Sequence, residues 1–334
     1  MRKLTILLVL SALISVSCSG DKKPVKVYFS GQAQGTYYAI TYYDIDGYNY
    51  KADIDLLLDN YDKSVSVYLE NSIISRINSN DTAVVTDSYF NENFNKSIEV
   101  SGKTNGAFDV TVGPFINAWG FGLEKKADID SLMIDSIMEF IGYQKISLKN
   151  NKVIKQDPRM MINFNAIAQG YSADIVGKFL ESKGINNYLV DIGGEVLAKG
   201  TKENDDPWVV GIQLPTQTKH GKIEAEAKIY LRNKALATSG SYRRYYEEDG
   251  LRYSHTIDPS TGYPVKHSLL SVSVLAADAI TADAYATAFM VMGVEKSVEF
   301  LKTDKDLDAY FIFSTEDGKF ATYATNGIKQ LLCQ

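Results

Sequence analysis

The chain has 334 residues, 45% of them hydrophobic, with 35 basic and 41 acidic side chains and a formal net charge of −6. That balance excludes a basic nucleic-acid face. Two cysteines, Cys18 and Cys333, exclude a disulfide framework and a thiolate zinc site, and three scattered histidines (His220, His255, His267) leave oxygen atoms as the ligands for any metal.

Arg2 and Lys3 precede an uncharged apolar run at 4–16, followed by Ser17-Cys18-Ser19-Gly20. A basic start, a short apolar stretch and small residues form a secretory signal. The run is shorter than the about 20 residues a membrane-spanning helix needs. A cysteine directly after Val16-Ser17 follows the bacterial lipoprotein pattern. Residues 1–17 are therefore expected to be removed and Cys18 lipidated, with an ordinary signal peptide as the alternative. Removal takes Arg2 and Lys3, leaving 33 basic against 41 acidic residues, a net of −8. Lipid, not a polybasic patch, is then the expected membrane attachment. The reading is an exported lipoprotein, membrane-anchored and facing the periplasm. Residues 18–27 read as a polar tether and 28–334 as one unit with two lobes.

Further along, residues 37–43 are β-rich and 54–61 helical. Apolar positions Phe90, Phe94, Ile98 and Val100 give 88–101 a helical period. Residues 106–122 read as a Gly- and aromatic-rich loop, 130–140 as a helix, and 145–148, 152–155 and 160–164 as short strands. A helix over 166–183 closes at Gly184, where a left-handed cap fits. Residues 188–191 and 195–199 pair around Gly193-Gly194. Strands dominate 208–274, with turns at 248–250 and 259–262, and a helix spans 278–292 before a further helix and strands. Hairpins flanked by helices, without regular strand–helix alternation, predict an α+β fold of antiparallel sheets with packed helices.

Five clusters carry chemistry. Ser66-Val67-Tyr68-Leu69-Glu70-Asn71-Ser72 places a tyrosine among small polar residues, where it can stack on a flat ring or simply pack. Gly106-Ala107-Phe108-Asp109-Val110-Thr111, continuing to Trp119-Gly120-Phe121-Gly122, reads either as a ligand loop or as a tight turn under Trp119. Asn163-Phe164-Asn165-Ala166-Ile167-Ala168-Gln169-Gly170-Tyr171-Ser172-Ala173-Asp174 runs from a strand into a helix start, where free N–H groups can face an anion. Gly170 inside that helix costs roughly 1 kcal/mol against Ala, which points to a close approach. The glycine spacings of a Walker loop or a dinucleotide fingerprint are absent. Thr238-Ser239-Gly240-Ser241-Tyr242 and Ser254-His255-Thr256-Ile257-Asp258-Pro259 set a histidine among hydroxyls, a structural residue or one that orients a phosphate or moves a proton. In Thr281-Ala282-Asp283-Ala284-Tyr285-Ala286-Thr287, Asp283 and Thr287 share a helix face. A carboxylate and a hydroxyl side by side suit Mg²⁺; a solvated helix start is the bland alternative.

In this order and spacing the clusters resemble the FAD:protein FMN transferase family (the ApbE family), over about residue 28 to the C-terminus. The resemblance implies a flavin transferase with two lobes and FAD in the cleft between them. It also implies Mg²⁺ on the pyrophosphate and transfer of FMN to a Thr or Ser hydroxyl of an acceptor protein, with release of AMP. By position, Tyr68 contacts the flavin, Ala107, Phe108 and Asp109 line the FAD site, and Ile257 touches the cofactor. The Ala166 carbonyl, Asp283 and Thr287 are the implied metal ligands. The chain departs from the family at three implied cofactor positions. Gln34 stands where Met is frequent, Asn163 where Asp is usual, and Gln169 where Lys is frequent. His255 is one candidate for the general base and an Asp near the metal is another. The expected acceptor is a membrane respiratory or redox subunit. Two alternatives stay open: a metal-dependent FAD pyrophosphatase yielding FMN and AMP, and a non-catalytic flavin-binding lipoprotein.

Overall fold

The structure, a computed structural model, describes residues 22–214, 225–241, 245–248 and 251–333. The signal segment, Cys18, Tyr242, His220 and most of the turn at 248–250 lie outside those residues. Strands β1 (Val25–Ala33) and β2 (Thr36–Asp44) open the chain as a hairpin. Its two turn residues, Gln34 and Gly35, both have positive φ (53° and 69°), the geometry that matches strand twist in a two-residue hairpin. β1 starts inside the stretch read as a tether.

A helical excursion follows: α1 (Lys51–Val65), α2 (Ile73–Asn78), α3 (Ser88–Lys103), α4 (Gly113–Ala118) and α5 (Ser131–Met138), then the hairpin β3 (Ile146–Lys149) and β4 (Lys152–Lys155). α6 (Ala168–Ser182) leads back to β5 (Tyr188–Ile192) and β6 (Glu195–Lys199). Next come β7 (Trp208–Gln213), β8 (Ala225–Leu231), β9 (Lys234–Gly240), β10 (Tyr245–Glu248), β11 (Leu251–Ser254) and β12 (Leu269–Ala276). α7 (Ala279–Thr303), β13 (Asp308–Ser314), β14 (Phe320–Ala324) and α8 (Asn326–Leu331) complete the order.

Eight strands form one antiparallel sheet in the order β1-β2-β5-β6-β9-β12-β13-β14. β2 and β5 are neighbours although residues 51–165 lie between them, so the excursion is a second lobe inserted at that point. α6 and α7 pack on the sheet face that carries the main core. The opposite face holds a smaller apolar cluster of Trp208, Ile229, Leu236, Leu275, Ile312 and Ile328, beneath the β7–β8 hairpin and α8. The strands alternate accordingly: Ala235 and Ala237 of β9 enter the main core and Leu236 the smaller one. With both faces covered, β12 is buried along almost its whole length, Ser271 and Ser273 included.

Local signals account for most elements. Asp87, Asp130 and Asp278 each accept a hydrogen bond from the backbone N–H three residues on, capping α3, α5 and α7. Two expectations change. Residues 160–164 do alternate, with Met160, Ile162 and Phe164 fully buried. Their neighbour is the loop at 110–113, however, so they form a single bridge (Met161 to Val112) and no strand. The loop at 106–122 contains α4, which Pro114 starts from the first turn. Gly293, at φ 76° and ψ 177°, breaks α7 where the two C-terminal helices were expected to separate.

Candidate active site

The site grows from the start of α6, which has no side-chain cap at Ile167. The Asn163 N–H donates to the Val110 carbonyl (2.8 Å), tying this segment to the glycine-rich loop. Asn165 Nδ2 donates to the Tyr68 hydroxyl (3.2 Å). The Ile167 and Ala168 N–H groups both donate to the Phe164 carbonyl. Gly170 N–H should next bond the Ala166 carbonyl four residues back. It donates instead to Asp283 Oδ2 on α7, at 2.9 Å. Among the described residues nothing donates to the Ala166 carbonyl, and the Gln169 N–H finds no acceptor.

Gly170 permits this crossing. A Cβ there would lie 2.3 Å from the Ala279 carbonyl oxygen and 2.7 Å from Asp283 Cβ. Helix propensity alone favours Gly170→Ala by about 1 kcal/mol, but two backbone-bearing elements must separate to admit the methyl. Overpacking costs typically about 1–3 kcal/mol, so we expect a net loss in urea unfolding, together with a weakened Asp283 contact. An unchanged or raised midpoint would contradict the close crossing.

Asp283 is 7% exposed. Burial pushes its carboxyl up to about 7, offset in part by the Gly170 N–H. No cationic side chain pairs with it among the described residues. A buried carboxylate normally needs a counter-charge or becomes neutral. One turn further, Thr287 Oγ1 lies 3.4 Å from Ser239 Oγ of β9 and brings in the fourth cluster. A carboxylate, a hydroxyl and an unclaimed backbone carbonyl form a hard-oxygen set that fits Mg²⁺. No group of three or more His, Cys, Asp or Glu side chains is placed to hold a metal among the described residues, so this set relies on one carboxylate.

The cofactor positions divide. Gln34 Oε1 accepts from the Ser172 hydroxyl (3.2 Å), while its buried Nε2 has no hydrogen-bond partner among the described residues; burial raises the Asp62 carboxyl above the usual range. Gln169 Nε2 stands 3.3 Å from where a Gly193 Cβ would be. The β1–β2 turn, the β5–β6 turn and α6 thus meet at one end of the sheet. Tyr68, 59% exposed, lines a cleft with Asn163, Gly113, Asn117 and Met161 whose empty space, open to solvent, is about 320 Å³. Ala107 is half-buried, whereas the Phe108 side chain is 2% exposed and belongs to the core. The Asp109 carboxylate accepts from the Thr111 N–H (2.8 Å) and hydroxyl (2.7 Å) and from the Tyr143 N–H (2.8 Å). Burial raises it. Its oxygens shape the loop itself, and the residue is half-buried like Ala107.

His255 is half-buried, with its ring edge-on to Phe121 at 6.4 Å. Trp119 Nε1 donates to the Gly262 carbonyl (2.8 Å), and Ile257 is buried and bridges Pro264. The second and fourth clusters therefore pack together. Two participants had no assigned role in the sequence reading. Tyr61 of α1 donates to the Ala168 carbonyl (3.0 Å). Asp174, one turn past Gly170, accepts from the Ala279 and Ile280 N–H groups. A carboxylate in an apolar helix stretch was the available signal for the latter.

The ApbE family model matches residues 34–311. The FAD:protein FMN transferase of Haemophilus influenzae is 36% identical, with 98% of this chain and 96% of that protein covered. The protein of the same name from Vibrio cholerae is 35% identical over 96% of this chain and 97% of its own length. A solved structure, the flavin transferase ApbE from Vibrio cholerae, superposes with a TM-score of 0.82 at 34% identity, covering 92% of this chain and all of that one. With the five motif clusters joined on this α+β fold, the chain belongs to the ApbE family.

Proposed function

We propose that this protein is an FAD:protein FMN transferase that moves FMN from FAD to a Thr or Ser hydroxyl of an acceptor protein and releases AMP. The observation that carries the reading is the Asp283 carboxyl, buried against the α6 start where, among the described residues, it has no counter-charge and the Ala166 carbonyl is unclaimed. Names and structures of the relatives support the same activity. Asp283, Thr287 and the Ala166 carbonyl would hold Mg²⁺, which when bound offsets charge on the pyrophosphate.

The chain's own residues bind and orient. The Gln169 N–H at the α6 start is a donor for a phosphate oxygen. Tyr68 offers an exposed ring to the flavin. In the transfer, the acceptor oxygen forms a bond to the phosphorus on the FMN side. The bond from that phosphorus to the bridging oxygen breaks, and AMP leaves with the electron pair. The hydroxyl proton passes to a general base, the role for which His255 is the candidate. We place the protein on the periplasmic side of a membrane, anchored through Cys18, with a membrane respiratory or redox subunit as acceptor.

The test incubates purified protein with FAD, Mg²⁺ and such a subunit, with intact-mass spectrometry of the subunit and chromatography of the nucleotides. An FMN adduct accompanied by AMP is the expected result. AMP and free FMN at the same rate without acceptor would make the protein a pyrophosphatase. FAD binding with no product would reduce it to a flavin carrier.

A further inference from the structure

We infer that Asp174 is a positioning residue for the cation site, locking α7 to α6 in the register that holds Asp283 against the α6 start. The inference rests on the reading that a divalent cation binds at Asp283. Asp174 is 5% exposed, and both its oxygens are engaged: Oδ1 accepts from the Ala279 N–H (2.8 Å) and Oδ2 from the Ile280 N–H (2.9 Å). α7 already has a cap of its own, since Asp278 accepts from the Thr281 N–H at 2.9 Å. Starting the helix therefore does not require Asp174. What Asp174 adds is the link to another helix.

The link is reciprocal. Gly170 and Asp174 lie one turn apart on α6, and Ala279 and Asp283 one turn apart on α7, so each pair shares a helix face. On one rung a backbone N–H of α6 (Gly170) donates to a carboxylate of α7 (Asp283). On the other, two backbone N–H groups of α7 donate to a carboxylate of α6. Sliding α7 by one turn, about 5.4 Å, breaks every one of these bonds at once. A carboxylate at a helix N-terminus is also favoured by the helix dipole. Without Asp174, the Gly170–Asp283 bond would be the remaining hydrogen bond between α6 and α7 among the described residues. Residues that orient metal ligands from behind are typically worth 10–100-fold in metal affinity.

The experiment titrates the full chain with Mn²⁺, followed by electron paramagnetic resonance, with Mg²⁺ as competitor. It compares wild type, Asp174→Ala, Asp174→Asn and Asp278→Ala, each with a thermal melt and metal-free FAD binding by fluorescence. Asp174→Asn, which keeps the shape and one acceptor oxygen, should weaken Mn²⁺ binding about 10-fold or more, while metal-free FAD binding stays at the wild-type level. Asp278→Ala removes a cap from the same helix end and should lower the melting temperature without changing Mn²⁺ affinity. Should Asp174→Ala fail to fold, Asp174→Asn decides. Wild-type Mn²⁺ affinity in Asp174→Asn overturns the inference. So does an equal loss in Asp278→Ala, because any weakened cap would then do the same. Absence of Mn²⁺ binding in the wild type would instead remove the cation reading itself.

Discussion

Asp283→Asn is expected to lower FMN transfer about 10²- to 10³-fold, the usual loss when one fixed electrostatic partner of a reacting group is removed. The amide keeps the size of the side chain and can still accept from the Gly170 N–H, so the fold should survive. It lacks the charge that would hold the cation. The variant also separates charge from packing through pH. Burial places the Asp283 carboxyl at about 7, against 3.8 in the unfolded chain. In metal-free protein, the unfolded state therefore gives up this proton first as pH rises, and the folded state becomes relatively less stable. That contribution is complete below pH 3.8 and is lost as pH climbs through about 7. Asp283→Asn should accordingly melt higher than wild type at pH 8 without Mg²⁺, and the difference should shrink toward pH 4. Saturating Mg²⁺ should stabilise the wild type at pH 8 and leave the variant unmoved. Equal Mg²⁺ stabilisation of both proteins, or full transfer by the variant, would place the cation elsewhere.

Phe108→Ala should destabilise the protein by about 3–5 kcal/mol, the range for removing a buried phenylalanine ring. Tyr68→Ala should change stability little, because its ring is 59% exposed, and should act on FAD binding. The resemblance gives these two residues the same kind of role, yet their surroundings differ. Phe108 lies in the main core, with its N–H donating to Thr104 Oγ1 (3.2 Å). Tyr68 stands beside the open cleft with its hydroxyl accepting from Asn165. Urea unfolding and FAD titration of both variants check the pair. A Phe108→Ala protein of native stability with weakened FAD binding would mean that the ring reaches the ligand after all.

Much of the architecture is written in short stretches. Asp87, Asp130 and Asp278 stand just before their helices, and each accepts from an N–H three residues on, so a window of four residues carries the signal. Gly193 and Gly194, both at positive φ, mark the β5–β6 turn by the same logic, and Gly184 closes α6. The spacing of Asp283 and Thr287 required only the helical period. The sequence alone thus supported the α+β class, most element positions, and the pairing of a carboxylate with a hydroxyl.

Contacts between distant segments were decided only in three dimensions. Residues 160–164 alternate like a strand but meet a loop, because pairing depends on which backbone lies alongside and not on the run itself. Gly170 announced a close approach, yet its partners Ala279 and Asp283 are more than a hundred residues away. Phe108 and Tyr68 looked equally available, and only packing buried one and exposed the other. Asp174 had no visible role because a carboxylate's meaning lies in its partners, here the first N–H groups of a helix 105 residues further along. Capping and turns are local exchanges of hydrogen bonds and survive in sequence, whereas burial and the crossing of α6 with α7 exist only once the chain has closed on itself.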